Sequence, residues 1–243
     1  MAPPSRASAS AATTSTLRRA ADAPRPRALF YPAWETLPHE AKLPHADVIS
    51  ERLETLVALA AVDGAAAAPL IVTTATALLQ RTFPPGETAE RTRVLRKGDR
   101  IDPLDLVEWL EDQGYEPEVQ VNHKGEIALR GGIVDLFPLV SPWPVRLEFF
   151  GDELESLRWF DPITQMSKEG IESVTIPPGG ELGLLKARVS AAGGVTAAPA
   201  LASLLDHLPR GALFVLCNPA ALQAQAAAYA EQLPPGDLFH QAW

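Results

Sequence analysis

Two neighbouring stretches, residues 125–138 and 145–155, limit what this chain can fold into more than any other part of it. Successive side chains of a strand point to opposite faces. From Val145 to Phe150 one parity holds Val145, Leu147 and Phe149, and the other holds Arg146, Glu148 and Phe150. The first set predicts a core face. The second predicts a charged face with an aromatic ring at its end. Gly151-Asp152 permits a tight turn, and residues 153–160 read as the return strand. A ring beside an arginine and a carboxylate is the composition of an interface centre. The competing reading is that Phe150 tucks under a neighbouring loop and the charges are merely solvated, since scattered surface apolar residues are common.

The chain has 243 residues, enough for one large domain or two small ones. Its formal charge is −9, and its isoelectric point is near 5.1. That balance argues against a surface built to hold a phosphate backbone, which relies on clustered Lys and Arg. Cys217 is the only cysteine, so the chain forms no internal disulfide and a reducing, cytoplasmic setting is expected. Because Cys217 lies in an apolar run, it reads as inert packing. The longest apolar region, from Leu56 to Val72, is interrupted by Asp63, Gly64 and Pro69, so no membrane span is expected. Residues 1–28 are rich in Ala, Ser, Thr, Pro and Arg and read as a disordered tail.

Beyond the tail, residues 28–31 read as a short strand ended by Pro32. The spacing of Val48, Ile49, Leu53, Leu56, Val57 and Ala60 predicts a helix from Asp47. Residues 70–74 form a continuous apolar strand of the buried, parallel kind, with a helix following through Leu79. This alternation predicts an α/β layer over residues 29–96. Asp102 is a good helix N-cap with Pro103 at the first helical position, and Gly114 ends that helix. Residues 97–182 then read as a helix followed by an antiparallel meander, an α+β module, closed by Pro177-Pro178-Gly179-Gly180. Residues 187–200 read as loop and residues 201–208 as a short helix. Residues 212–217 read as another buried strand. Asn218 and Pro219 begin a last helix ended by Pro234. Residues 183–243 therefore return to α/β character, and the middle module is expected to be an insertion into that layer.

The sequence carries few signatures of catalysis. No glycine-rich phosphate loop ending in Lys-Ser or Lys-Thr is present. His39, His45, His123, His207 and His240 form no His-x-x-x-His pair, and one cysteine builds no thiolate cage. No Gly-x-Ser-x-Gly elbow occurs. No cofactor, metal or catalytic residue is expected. Residues 34–38 read as a packing loop in which Trp34 anchors against the helix from Asp47. Mixed-sign residues around the meander suit protein recognition better than single-strand binding, because Glu148, Asp152, Glu153, Glu155 and Asp161 oppose a nucleic acid.

Several separated motifs, in order, resemble one family. They are Tyr31-Pro32-Ala33-Trp34-Glu35-Thr36-Leu37-Pro38, residues 44–56, Leu79-Gln80-Arg81, Lys97-Gly98-Asp99-Arg100-Ile101, the two meander stretches, and Phe160-Asp161-Pro162-Ile163-Thr164-Gln165. Together they resemble the amino-terminal region of the bacterial transcription-repair coupling factor (Mfd), including the module shared with UvrB that docks on UvrA. The resemblance implies an α/β fold in which a partial, front-truncated RecA-like α/β layer carries an inserted α+β UvrB-interaction module at residues 97–182. It also implies UvrA as partner, with Arg130, Arg146, Glu148 and Phe150 as the contact residues. In that reading Arg146 forms a bidentate pair with a partner carboxylate, and Glu148 receives a partner's Arg or Lys. Phe150 is the apolar anchor, and the glycines after Arg130 let a partner's backbone approach. The implied function is protein docking in nucleotide excision repair, without a motor of its own, with a separate motor portion as a second partner. The alternatives are a small-molecule-binding α/β enzyme and a decoy or scaffold for UvrA.

Overall fold

The structure, a computed structural model, describes residues 28–61, 69–191 and 201–243. The expected tail lies outside these residues except for Ala28. The fold is mixed α/β, with six α-helices and three sheets among the described residues. Strand β1 (Ala28–Tyr31) is followed by α1 (Ala46–Ala60), β2 (Leu70–Thr73), α2 (Ala75–Leu79) and α3 (Pro85–Glu90). Strands β1 and β2 pair in parallel. Helix α1 buries the stripe Ile49, Arg52, Leu53, Leu56 and Leu59, three- and four-residue steps of one face.

Next come β3 (Arg93–Arg96), α4 (Pro103–Asp112) and β4 (Glu116–Pro117). Asp102 caps α4 by accepting from the Leu104 N–H at 2.8 Å, with Pro103 in the first turn. The meander is β5 (Glu126–Arg130), β6 (Ile133–Leu136), β7 (Val145–Phe150), β8 (Glu153–Phe160) and β9 (Ser167–Ile171). With β4 at one edge these make a six-stranded sheet in the order β4-β5-β6-β7-β8-β9. Strand β10 (Ser173–Ile176) returns to pair antiparallel with β3. The chain thus enters and leaves the sheet region side by side.

The inner face of the sheet holds Ile127, Val134, Leu136, Val145, Leu147 and Leu157, packed with Leu106 and Leu110 of α4. Strand β7 keeps its alternation because the irregularity beside Glu148 and Phe149 is absorbed in β8, where Glu155 is the extra residue. On the outer face a smaller cluster holds Val121, Ala128, Phe137 and Phe160.

Helix α5 (Leu182–Ala191) follows. It corrects the loop expected from Ala187 onward, because Leu182, Leu185 and Val189 bury one stripe; residues 192–200 of that expected loop lie outside the described residues. A 3₁₀ turn (Leu204–His207) and α6 (Pro219–Ala230) complete the elements, with Asn218 capping α6. Residues 212–217 correct a second expectation. They form no strand; Leu213 is 95% exposed, Leu216 is exposed, and Cys217 is exposed rather than packed. Strand β2 corrects a third, since Leu70 and Val72 are exposed. An apolar run is buried only when neighbours flank it. Among the described residues β2 pairs with β1 alone, and residues 212–217 pair with no strand.

The second core joins these pieces. Tyr31, Trp34, Leu53, Leu56, Phe83, Leu139, Leu182, Leu185 and Leu204 form one buried cluster. At its centre Arg52 and Glu181 are fully buried, with Arg52 Nε 2.6 Å from Glu181 Oε2 and Nη2 3.0 Å from Oε1. Arg52 Nη1 donates to the Pro32 carbonyl at 2.9 Å. Its guanidinium lies over the rings of Tyr31 and Trp34, 4.2 and 4.7 Å from their centroids. Glu181 also accepts from Trp34 Nε1 at 2.9 Å and Thr82 Oγ1 at 2.7 Å. The expected packing role of Trp34 against α1 is therefore met.

Removing one member of such a pair strands the other charge without water. Glu181→Ala should lower unfolding stability by roughly 3–5 kcal/mol, measured by urea denaturation. A loss under about 1 kcal/mol would show that the pair holds nothing together. A second prediction concerns His207, whose Nε2 lies 2.8 Å from the Phe83 carbonyl and must carry the proton to bond it. Burial lowers its pKa below the ordinary value of 6.5, more than the carbonyl and the nearby acids raise it. The unfolded chain then binds this proton at higher pH than the folded chain, so stability falls as pH drops through and below about 6.5. Melting midpoints taken from about pH 7 to about pH 5.5 should decline less in His207→Gln than in the parent.

Candidate protein-docking surface

The four residues expected to form a site belong to the outer face of the meander, and the sheet register brings four strands together there. Ala128, Asp135, Arg146 and Arg158 form one cross-strand row. Arg130, Ile133, Glu148 and Ser156 form the next row. Phe150 lies two residues beyond Glu148, about 14 Å along β7 from Arg146 at ~3.4 Å per residue.

Phe150 is 76% exposed. The reading in which its ring hides under a loop is excluded, and the ring stands outward beside the charged rows. The arginines behave differently. Asp135, in the middle of β6, is fully buried. Arg146 grips it with both arms of its fork: Nε donates to Oδ1 at 2.8 Å and Nη2 to Oδ2 at 2.9 Å. Arg146 Nη1 reaches the Gln165 carbonyl at 3.5 Å, and the guanidinium lies 4.9 Å from the Phe160 ring centroid. Its side chain is 16% exposed. The expected bidentate pair with a partner is thereby corrected, since the carboxylate in the fork is the chain's own. Hydrogen bonding to Asp135 raises the Arg146 pKa above its ordinary value, against an opposing desolvation effect.

Arg130 shares the same carboxylate through one bond, Nη2 to Asp135 Oδ2. Its side chain is 48% exposed. A guanidinium has five N–H donors, so most of those on Arg130 remain directed elsewhere than Asp135. Glu148 accepts from Ser156 Oγ, with Arg158 Nη2 3.8 Å away. It is half-buried and held by its own strand neighbours, so the expected availability to a partner cation is reduced.

The glycines after Arg130 also serve the chain itself. Gly131 has φ +62° with open space around it, a backbone conformation that favours glycine. At Gly132 a Cβ would stand 2.9 Å from the Phe149 carbonyl oxygen. The close approach there is by β7, whose Phe149 N–H donates to the Gly132 carbonyl at 2.8 Å. At Gly132 the backbone that comes close is thus the chain's own, whereas the space at Gly131 is open.

Asp135 was missed in the sequence. A signal existed: Ile133, Asp135 and Phe137 share a parity, and the two-glycine turn sets β6 beside β5 so that Asp135 falls between two arginine-bearing strands. Among the described residues no group of three or more His, Cys, Asp or Glu is placed to hold a metal ion, and no helix is long and apolar enough to cross a membrane.

Gly132→Ala should destabilise the chain by on the order of 1–3 kcal/mol, because backbone rather than a flexible side chain blocks the new methyl group. Urea unfolding checks the magnitude. Loss of amide-exchange protection at Phe149 checks the cause.

Residues 94–181 match the family described as the UvrB interaction domain. The chain is 37% identical over 156 residues to the transcription-repair-coupling factor of Escherichia coli, spanning 64% of this chain and 13% of that protein. It is 40% identical over 155 residues to that of Haemophilus influenzae and 34% identical over 155 residues to that of Bacillus subtilis, spanning 63% of this chain and 13% of each. The chain therefore matches about one eighth of the length of these relatives. Residues 94–181, which hold the meander, thus match the UvrB interaction domain family, in a chain similar to transcription-repair-coupling factors over some three-fifths of its length.

Proposed function

We propose that this chain docks UvrA through the outer face of the meander, and that it acts in nucleotide excision repair by binding rather than catalysis. The observation that carries this reading is the outward ring of Phe150, on the same outer face as the partly exposed Arg130, in a region that matches the UvrB interaction domain family. A large exposed aromatic and a partly exposed arginine on one face are the composition of a binding hot spot. Mixed charges around it supply orientation and discrimination. In this reading Arg130, Arg146, Glu148 and Phe150 make up the UvrA surface, with Arg130 and Phe150 offering the most accessible groups. Residues 97–182 act as the docking unit. The flanking elements form a RecA-like α/β layer, and a separate motor portion is the second partner. A cytoplasmic location fits such a partner.

Phe150 offers a cleaner test than Arg146. Arg146→Ala would leave the buried Asp135 short of its main partner, mixing folding with binding. Phe150 is mostly in solvent, so its truncation leaves the core intact. Phe150→Ala should weaken the complex with UvrA by roughly 2 kcal/mol or more, about thirtyfold, with an unchanged melting midpoint. Titration calorimetry giving parent-like affinity for both Phe150→Ala and Arg130→Ala would remove this assignment.

A further inference from the structure

We infer that Asp135 is a positioning residue for this surface: its single buried carboxylate holds Arg146 and Arg130 together, and so presents the outward donors of Arg130 as a receptor for one carboxylate of the partner protein. This inference rests on the docking reading above and adds the residue that organises it and the chemistry it selects.

The geometry has three parts. Asp135 lies on the strand between the two that carry the arginines, opposite Arg146 on one side and Ala128 on the other. Ala128 is small, and Arg130 lies two residues beyond it, so Arg130 can lean across that position to the carboxylate. Arg146 is then fixed on every side, by Asp135, the Gln165 carbonyl and the Phe160 ring. Arg130 is fixed at one atom only and faces solvent with about half its side chain.

Charge completes the argument. One carboxylate and two guanidinium groups leave a net positive charge, and the exposed member that carries it is Arg130. Without Asp135 two adjacent cations would repel and splay apart. Glu148 makes no hydrogen bond to either arginine, being engaged by Ser156 and Arg158. The remaining Arg130 donors therefore suit an anion brought from outside. A protein carboxylate matches the planar fork with two parallel bonds. A phosphate backbone is the weaker match, because such surfaces need several unpaired cations together.

The test is UvrA binding by the full chain, with Asp135→Asn compared in the parent and in the Arg130→Ala background. Asp135 touches no solvent, yet Asp135→Asn should weaken binding about tenfold. It should also flatten the salt dependence to the extent that Arg130→Ala does. In the Arg130→Ala background the same change should add less than about twofold, since its effect runs through that arginine. A parent-like affinity for Asp135→Asn overturns the inference. So does an equal loss with and without Arg130, which is the mark of a merely structural role. Should Asp135→Asn be unfolded at the assay temperature, Asp135→Glu keeps the charge and moves it by one methylene, and the same paired comparison decides. If Arg130→Ala and Phe150→Ala both bind as the parent does, the docking reading itself has failed. A loss for Phe150→Ala with none for Arg130→Ala or Asp135→Asn keeps the docking reading and overturns the role given to Asp135.

Discussion

The buried ion pair of Arg52 and Glu181 is the constraint on which the arrangement of this chain depends. Two charges removed from water cost several kcal/mol each unless their hydrogen-bonding capacity is filled. Here it is filled from distant segments: Pro32 and Trp34 after β1, Thr82 before α3, and Arg52 from α1. Gln80 extends the network, accepting from the Trp34 N–H and bonding the Tyr229 hydroxyl on α6. None of these segments can move without stranding a charge. Glu181 follows β10 by five residues, and β10 is zipped to β3. The place where the chain leaves the meander is therefore pinned to the elements before it, and the outer face of the sheet inherits a fixed base.

The same physics recurs at that outer face with a different balance. Arg52 has no exposure, spends its donors on Glu181, Pro32 and Gln80, and lies over two aromatic rings. Arg146 is nearly as occupied. Arg130 makes one bond to the shared carboxylate and keeps the rest. What separates a structural arginine from a recognition arginine in this protein is the number of N–H groups left over once the fold has been satisfied. Preorganisation follows from the same sharing, because a side chain tethered at one atom loses less freedom when a partner arrives.

How much of this could be read from residues alone depended on the range of the interaction. Alternation from Val145 to Phe150 is a local property, and it placed Leu147 inward and Phe150 outward correctly. The caps at Asp102 and Asn218 are equally local. Arg52 was legible in part: three residues after Ile49 and four before Leu56, it falls on the buried stripe of α1. Its partner lies 129 residues away, where no spacing rule reaches. Asp135 needed strand parity and hairpin register applied together, and reading one strand at a time left Arg146 with an empty fork that its neighbour fills. Helix α5 was hidden by its Ala- and Gly-rich surroundings, although Leu182, Leu185 and Val189 recur at helical steps.

The apolar run at residues 212–217 shows the limit of composition from the other side. Leu213, Phe214, Val215 and Leu216 have the character of a buried strand, and all are exposed. Burial belongs to a pairing, and among the described residues no strand lies beside this run. This also separates two kinds of open surface on the molecule. A bare apolar stretch offers backbone groups and side chains that any extended segment could meet, and so confers little discrimination. The meander face sets one ring among charges whose positions are fixed by Asp135 and by the sheet register. A wrong partner there faces an unmatched guanidinium as well as a poor fit, and the cost of that mismatch is what makes the face selective.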